Sequence, residues 1–325
     1  NQETKSTLMS YLKIGNAGWS MRDTGFGNRI QFWEVAYELN KLNDFKFTIL
    51  VEKNKWRETE FLNFPHTESS NVRFNKIRDL SEIDARKPWL NKLDVTKSWD
   101  ILEEWPPYEE GEDFYGKWLH LITLKDESLE DKIRDLVKDR IGIHIRHWPT
   151  VDEDNREDLV DRFDYSDKMK LVRKTMDKYP DSKFYISTDV TYDRPAQGPL
   201  LPDFRKESHW ISEIYRDYDV VDYRDIIKVD DILPNSFISD INSSWSKLMD
   251  EEGREIATEL NKKSVGGIQD LYDKKILRDI VDIFSLIFSK RFVNSKETGP
   301  QSSWSDFVHI YRKKYSNLQR ATWLR

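Results

Sequence analysis

Several stretches of this sequence have the residue types and spacing to hold a small anionic ligand. Ile141-Gly142-Ile143-His144-Ile145-Arg146-His147 alternates isoleucine with other residues. An extended chain therefore sends the isoleucines to one side and Gly142, His144 and Arg146 to the other. Ser187-Thr188-Asp189 ends a second apolar run, Ser302-Ser303-Trp304 opens an amphipathic one, and Asp282 interrupts a third that is almost wholly apolar. An arginine with serine hydroxyls and helix N–H groups supplies what a diphosphate requires: charge, a bidentate donor and short hydrogen bonds. Each charge-assisted bond contributes about 1.5–3 kcal/mol. The two oxygens of the Asp282 carboxylate match the adjacent N1–H and N2–H donors of guanine. Plainer readings stand beside these: His144 and Arg146 as the solvated face of a half-buried strand, His144 as a satisfied structural histidine, Asp282 as the exposed edge of its helix.

Such residues act together only if strands and helix entrances bring them to one edge. Tyr11-Leu12-Lys13-Ile14 reads as a short strand, followed by a loop containing Gly15, Gly18, Gly25 and Gly27. Asn28 is of a type that opens helices, and Ile30, Trp33, Ala36, Tyr37 and Leu39 approximate a helical stripe. The run from Phe45 to Val51 reads as the next strand, so the chain begins as an α/β domain. From Trp56 to Trp118 the pattern is irregular; aromatic faces suit sugar rings, but packing under long loops is their commoner fate. A helix from Glu127 to Asp139 leads into the Ile141 strand and puts the domain change near residue 125, giving domains 1–125 and 126–325. Beyond it the pattern predicts a helix from Ser166 to Tyr179, a strand from Lys183 to Ser187, a helix over Arg205 to Arg216 and a strand over Asp219 to Tyr223. Helices over Ser244 to Asn261 and Leu277 to Phe288, a strand over Arg291 to Asn294 and a last helix after Ser302 complete the series. In open parallel sheets ligands bind beyond the carboxyl ends of strands, where His144, Arg146, Ser187 and Asp189 are expected.

Composition narrows the choices. The 325 residues exceed what one core usually serves, and a net charge of -7 argues against a broad nucleic-acid-binding face. The absence of cysteine excludes disulfides, thiolate metal sites and a cysteine nucleophile. No Gly-x-Ser-x-Gly elbow and no His-Glu-x-x-His pattern occurs. No run of apolar residues is long enough to span a membrane. The expectation is a soluble chain, cytoplasmic or the lumenal part of a secretory-pathway enzyme, with room for a signal or anchor upstream of Asn1.

Gly25-Phe26-Gly27-Asn28-Arg29, His144-Ile145-Arg146, Ser187-Thr188-Asp189 and the block from Asp279 through Asp282 to Ser302-Ser303 occur in an order that resembles the GDP-fucose-dependent fucosyltransferases. The likeness is to the group of nodulation and core α1,6-fucosyltransferases and protein O-fucosyltransferases. It covers most of the second domain and the start of the first. The resemblance implies a GT-B fold, two Rossmann-like α/β domains facing a central cleft, with the donor nucleotide held by the second. It implies fucose transfer from GDP-fucose to a glycan or protein hydroxyl, with inversion and with neither metal nor other cofactor. His144 and Asp282 would recognise guanine, Arg146 and Ser303 would hold the β-phosphate, and Ser302 and Trp304 would shape that turn. Asp189 would lie near the ribose, and Asn28 with Gly25, Phe26 and Gly27 would face the sugar-phosphate region. Arg146 would stabilise charge on the departing GDP, and His147 or one of Asp152, Glu153 and Asp154 would be the general base. Two departures stand out: His147-Trp148-Pro149-Thr150 replaces the second arginine and the acidic residue of many relatives, and Lys296 to Pro300 is an insertion. The alternatives are a GDP-sugar-binding protein without transfer activity and a transferase using another nucleotide sugar.

Overall fold

The computed structural model describes residues 10–14, 26–53, 56–70, 80–84, 92–102, 116–145, 165–188, 213–227, 267–294 and 303–323. The chain divides into two compact units, residues 1–125 with 317–325, and residues 126–316. Both are built on parallel sheets, so the protein is mixed α/β.

The first unit opens with β1 (Ser10–Ile14), α1 (Phe26–Leu42) and β2 (Phe47–Glu52), with β1 and β2 paired in parallel. β3 (Leu62–Asn63), β4 (Thr67–Ser70), β5 (Leu80–Asp84), β6 (Ser98–Leu102) and β7 (Thr123–Leu124) follow. The main sheet has the order β4-β2-β1-β6-β5 with every pair parallel, and β3 and β7 form a short antiparallel ladder. β2 is apolar along most of its length, as a strand covered on both faces must be. The helix begins at Phe26, so Asn28 stands inside its first turn rather than before it. Burial along α1 is nearly continuous from Arg29 to Asn40, and its polar residues are matched accordingly. Glu34 accepts the N–H groups of Gly116 and Trp118, each at 2.8 Å, which ties residues 116–118 to the helix. At the other end Asn40 Nδ2 donates to Phe47 O at 2.8 Å and Phe47 N–H donates to Asn40 Oδ1 at 3.0 Å, locking the start of β2. The strand expected from Phe45 therefore starts at Phe47, with Asp44 and Phe45 in a left-handed turn at φ 54° and 55°.

The second unit comprises α2 (Glu127–Val137), β8 (Arg140–Ile145), α3 (Tyr165–Met176), β9 (Lys183–Thr188), β10 (Val220–Val221), α4 (Gly267–Phe288), β11 (Arg291–Val293) and α5 (Ser303–Trp323), whose last residues cluster with the first unit. Asp126 caps α2 by accepting the Leu129 N–H at 3.1 Å. The sheet order is β10-β9-β8-β11, again all parallel. Ile141, Ile143 and Ile145 of β8 join Phe184 and Ile186 of β9, Val172 and Met176 of α3, and Ile214 and Val293 in one apolar core. Only residues 213–216 of the helix expected over Arg205 to Arg216 are described, and they are helical. The strand expected over Asp219 to Tyr223 shrinks to Val220–Val221, because Asp222 caps a tight turn at Tyr223–Asp225. The helix expected over Ser244 to Asn261 lies outside the described residues.

Candidate functional site

The sheet of the second unit has one apolar face and one that carries polar groups. Register pairs Gly142 with Tyr185 and His144 with Ser187, and paired residues point the same way, so these four share the face opposite the isoleucines. α4 covers that face. At Gly142 an added Cβ would lie 2.7 Å from Ser289 Oγ and 3.0 Å from Leu286 Cδ2, so only glycine permits this approach. Ser289 is fixed in turn: its hydroxyl reaches Leu286 O at 2.8 Å and Arg291 O at 2.9 Å. From α5, Arg312 Nη1 donates to Leu286 O, Ile287 O and Ser289 O at 2.8, 2.6 and 2.7 Å, satisfying carbonyls at the carboxyl end of α4. Burial holds the Arg312 guanidinium below its ordinary value.

Further along α4, Asp282 is 1% exposed and accepts the Tyr185 hydroxyl at 2.6 Å. Arg278, one turn earlier, is buried and donates to Asp279 Oδ1 at 2.8 Å. Burial pushes the Asp282 carboxyl up to about 7, against the pull of Arg278 and the Tyr185 hydrogen bond, with Asp279 and Asp222 adding to the rise. Burial, and then the charge of Asp282, hold the Tyr185 phenol well above its ordinary value. Burial alone would lower Arg278, but Asp279 and Asp282 outweigh it and keep the guanidinium above its usual range. Ser285 lies near the Tyr185 hydroxyl without closing a hydrogen bond of normal geometry. Near neutral pH, Asp282 thus divides between a carboxylate with acceptor oxygens only and a neutral acid with one donor.

His144, 3% exposed, stands in the carboxyl half of β8 with Nδ1 2.6 Å from Ser305 Oγ. Its ring lies 5.5 Å from that of Trp304. Both partners belong to the first turn of α5, so a helix entrance, with its positive dipole end, is pinned against the strand.

Of the site residues expected from sequence, His144 and Asp282 thus belong to one polar layer, with Trp304 at its border. His144 has Ser305 as its hydrogen-bond partner and Asp282 has Tyr185. The readings of both as solvated edges are overturned, since both are buried, while the Ser305 hydrogen bond is what the structural reading of His144 expects. Gly25, Arg146, His147, Asp152, Glu153, Asp154, Asp189 and Ser302 lie outside the described residues. Phe26, Gly27, Asn28 and Ser303 are placed only as helical backbone in the first turns of α1 and α5. Tyr185, Arg278 and Ser305 were not anticipated. Strand period gave a signal for Tyr185, two residues before Ser187, and helix period for Arg278 and Asp279, four and three residues before Asp282. Ser305 had no comparable signal, because its partner is 161 residues away.

The carboxyl edge of the first unit's sheet is also charged. Lys13 Nζ meets Asp100 Oδ2 at 3.0 Å between paired positions of β1 and β6. Beside Asn28, Arg29 makes a buried ion pair with Glu58, which fixes the first turn of α1. Among the described residues no group of three or more His, Asp or Glu side chains is placed to hold a metal ion, and no helix is long and apolar enough to cross a membrane. Compared with known proteins, the chain matches no family model and no curated sequence.

Proposed function

We propose that this chain transfers fucose from GDP-fucose to a hydroxyl of a glycan or protein, with inversion and without a bound metal, its two α/β units serving as the two domains of a GT-B enzyme. One observation carries the reading. His144, at the carboxyl end of a parallel strand, is joined to the first turn of α5 through Ser305 at 2.6 Å, on the sheet face whose Tyr185 donates to Asp282 of α4. A strand end, a helix entrance and a carboxylate are the parts from which nucleotide-diphosphate sites of the α/β kind are built, and their occurrence here supports the reading. They also belong to two of the four motifs whose order resembles the fucosyltransferases.

In this reading Asp282 and His144 select guanine, and Arg146 with Ser303 and the α5 amides hold the β-phosphate. As the glycosidic bond breaks, negative charge grows on GDP, and Arg146 stabilises it as it develops. The test begins with melting temperatures in GDP, UDP and ADP, followed by product analysis with GDP-fucose and a glycan panel. GDP alone should stabilise the protein. Arg146→Ala should cut turnover by about 100- to 1,000-fold without loss of folding, and near-normal turnover would remove Arg146 from the mechanism. His147-Trp148-Pro149-Thr150 favours a second reading, GDP-sugar binding without transfer. Binding of GDP-fucose with neither hydrolysis nor transfer would select it.

A further inference from the structure

Strained backbone and exposed rings coincide at the amino edge of the first unit's sheet, opposite the carboxyl edge where α/β sheets hold nucleotides. Among the described residues four other than glycine have positive φ, and Asp44, Phe45 and His66 are three of them. Asp44 and Phe45 lie just before β2, separated from it by Lys46, and His66 immediately precedes β4, so the three meet at one sheet edge. A left-handed conformation is costly for a residue as bulky as phenylalanine, and glycine would adopt it freely. The two strained turns nonetheless bring the Phe45 and His66 rings into a stack, 4.4 Å between centroids and 14° from parallel.

Tyr37 lies beneath, 5.7 Å from Phe45, 6.0 Å from His66 and 5.2 Å from Trp118. The Trp118 indole is held by its N–H donating to Glu38 Oε2 at 2.6 Å. The base is rigid and its upper rings reach solvent: Phe45 is 39% exposed, and His66 is exposed as well. Leu42, 50% exposed, and Val95, 41% exposed, belong to the same edge, the latter through the Leu93 N–H donating to Asn43 Oδ1.

We infer that this edge is a binding platform for a neutral saccharide, separate from the proposed nucleotide site. Aromatic faces pack against the C–H face of a pyranose, while its hydroxyls need donors and acceptors around the ring. The exposed rim provides both, with Lys41 and Lys46 balanced by Asp44 and Glu68. That balance disfavours nucleic acid or a phosphorylated ligand, each of which needs a positive excess. Every residue involved belongs to the first unit, so the inference does not rest on fucosyl transfer.

Saturation-transfer NMR with chitohexaose, mannohexaose and xylohexaose on the whole chain tests it. Saturation of sugar C–H protons is expected for at least one of them, reduced about five-fold or more in Phe45→Gly and His66→Ala and retained in Phe45→Tyr. Melting of Phe45→Gly should occur at or above the wild-type temperature, because the strain is relieved while the platform is lost. GDP-induced stabilisation should be unaltered in all three variants, which separates failure here from failure at the nucleotide site. Absence of signal for all three sugars, equal signal in the variants, or a Phe45→Gly melt well below wild type would overturn the proposal. So would a Phe45-dependent dimer in sedimentation, which would make a second copy the occupant.

Discussion

Asp282→Asn isolates the electrostatic cost of the polar layer. The carboxyl is fully buried and its pKa rises from 3.8 to about 7 on folding, so the folded state holds a proton that the unfolded chain releases. A group raised in this way contributes stability that is fully present below its unfolded pKa and is lost as pH rises through the folded one. From the two values the loss between pH 5 and pH 8.5 is about 3 kcal/mol, most of it gone by pH 7.5. Asparagine keeps the shape and can still accept the Tyr185 hydroxyl, but it does not titrate. Denaturant unfolding of wild type and variant at pH 5, 6, 7 and 8.5 should therefore show wild type losing about 3 kcal/mol relative to Asp282→Asn as pH rises. A difference constant to within about 1 kcal/mol would refute the account, because it would mean that Asp282 is ionised throughout or is solvated in the folded state.

The same carboxyl should govern GDP binding if it accepts both guanine donors, since only the ionised form can: affinity should rise with pH and level off above about 7. Because the Tyr185 hydrogen bond lowers this pKa, Tyr185→Phe should move the midpoint of that titration upward, as calorimetry across pH would register. Gly142→Ala should destabilise the second unit by about 1–3 kcal/mol in urea unfolding, because the new methyl meets a serine already fixed by two carbonyls. Arg312→Met keeps the length of the stem and removes the donors that cap α4, and should cost about 2 kcal/mol in the same assay.

What could be read from the sequence follows from how local each determinant is. The strands at Leu12, Ile49, Ile143 and Ile186 and the helix through Ile280 and Phe284 are legible because their apolar residues repeat at strand or helix period. The start of β2 is not, because Phe45 and Phe47 look alike; Asn40, seven residues away, makes the distinction by closing two hydrogen bonds on Phe47. In the irregular aromatic stretch, Trp89, Trp105, Tyr108 and Tyr115 lie outside the described residues, and the ends of the stretch are settled in the same way. Trp56 is core at 1% exposure, whereas Trp118 is half-buried with its N–H on Glu38, and only the tertiary partner separates these roles. His144 and Asp282 are legible as chemistry-bearing residues, but their partners Ser305 and Tyr185 come from distant segments.

The difficulty of keeping Asp282 where it is says something about the face on which it lies. Its neighbours Ile280, Val281, Ile283 and Phe284 are all buried, so a leucine at 282 would continue the apolar surface of α4 at no electrostatic cost. A buried carboxylate with one tyrosine hydrogen bond and a guanidinium already engaged by Asp279 is a poor stabiliser by comparison. The layer beneath α4 is therefore more polar than packing requires, while the opposite face of the same sheet is built mainly on isoleucine, phenylalanine and valine. An ordinary core would be apolar on both faces of a parallel sheet. A fold that keeps Asp282 against Tyr185 and near Arg278 retains an ionisable group where stability alone would favour leucine, and the proposed recognition of a nucleotide base would use it.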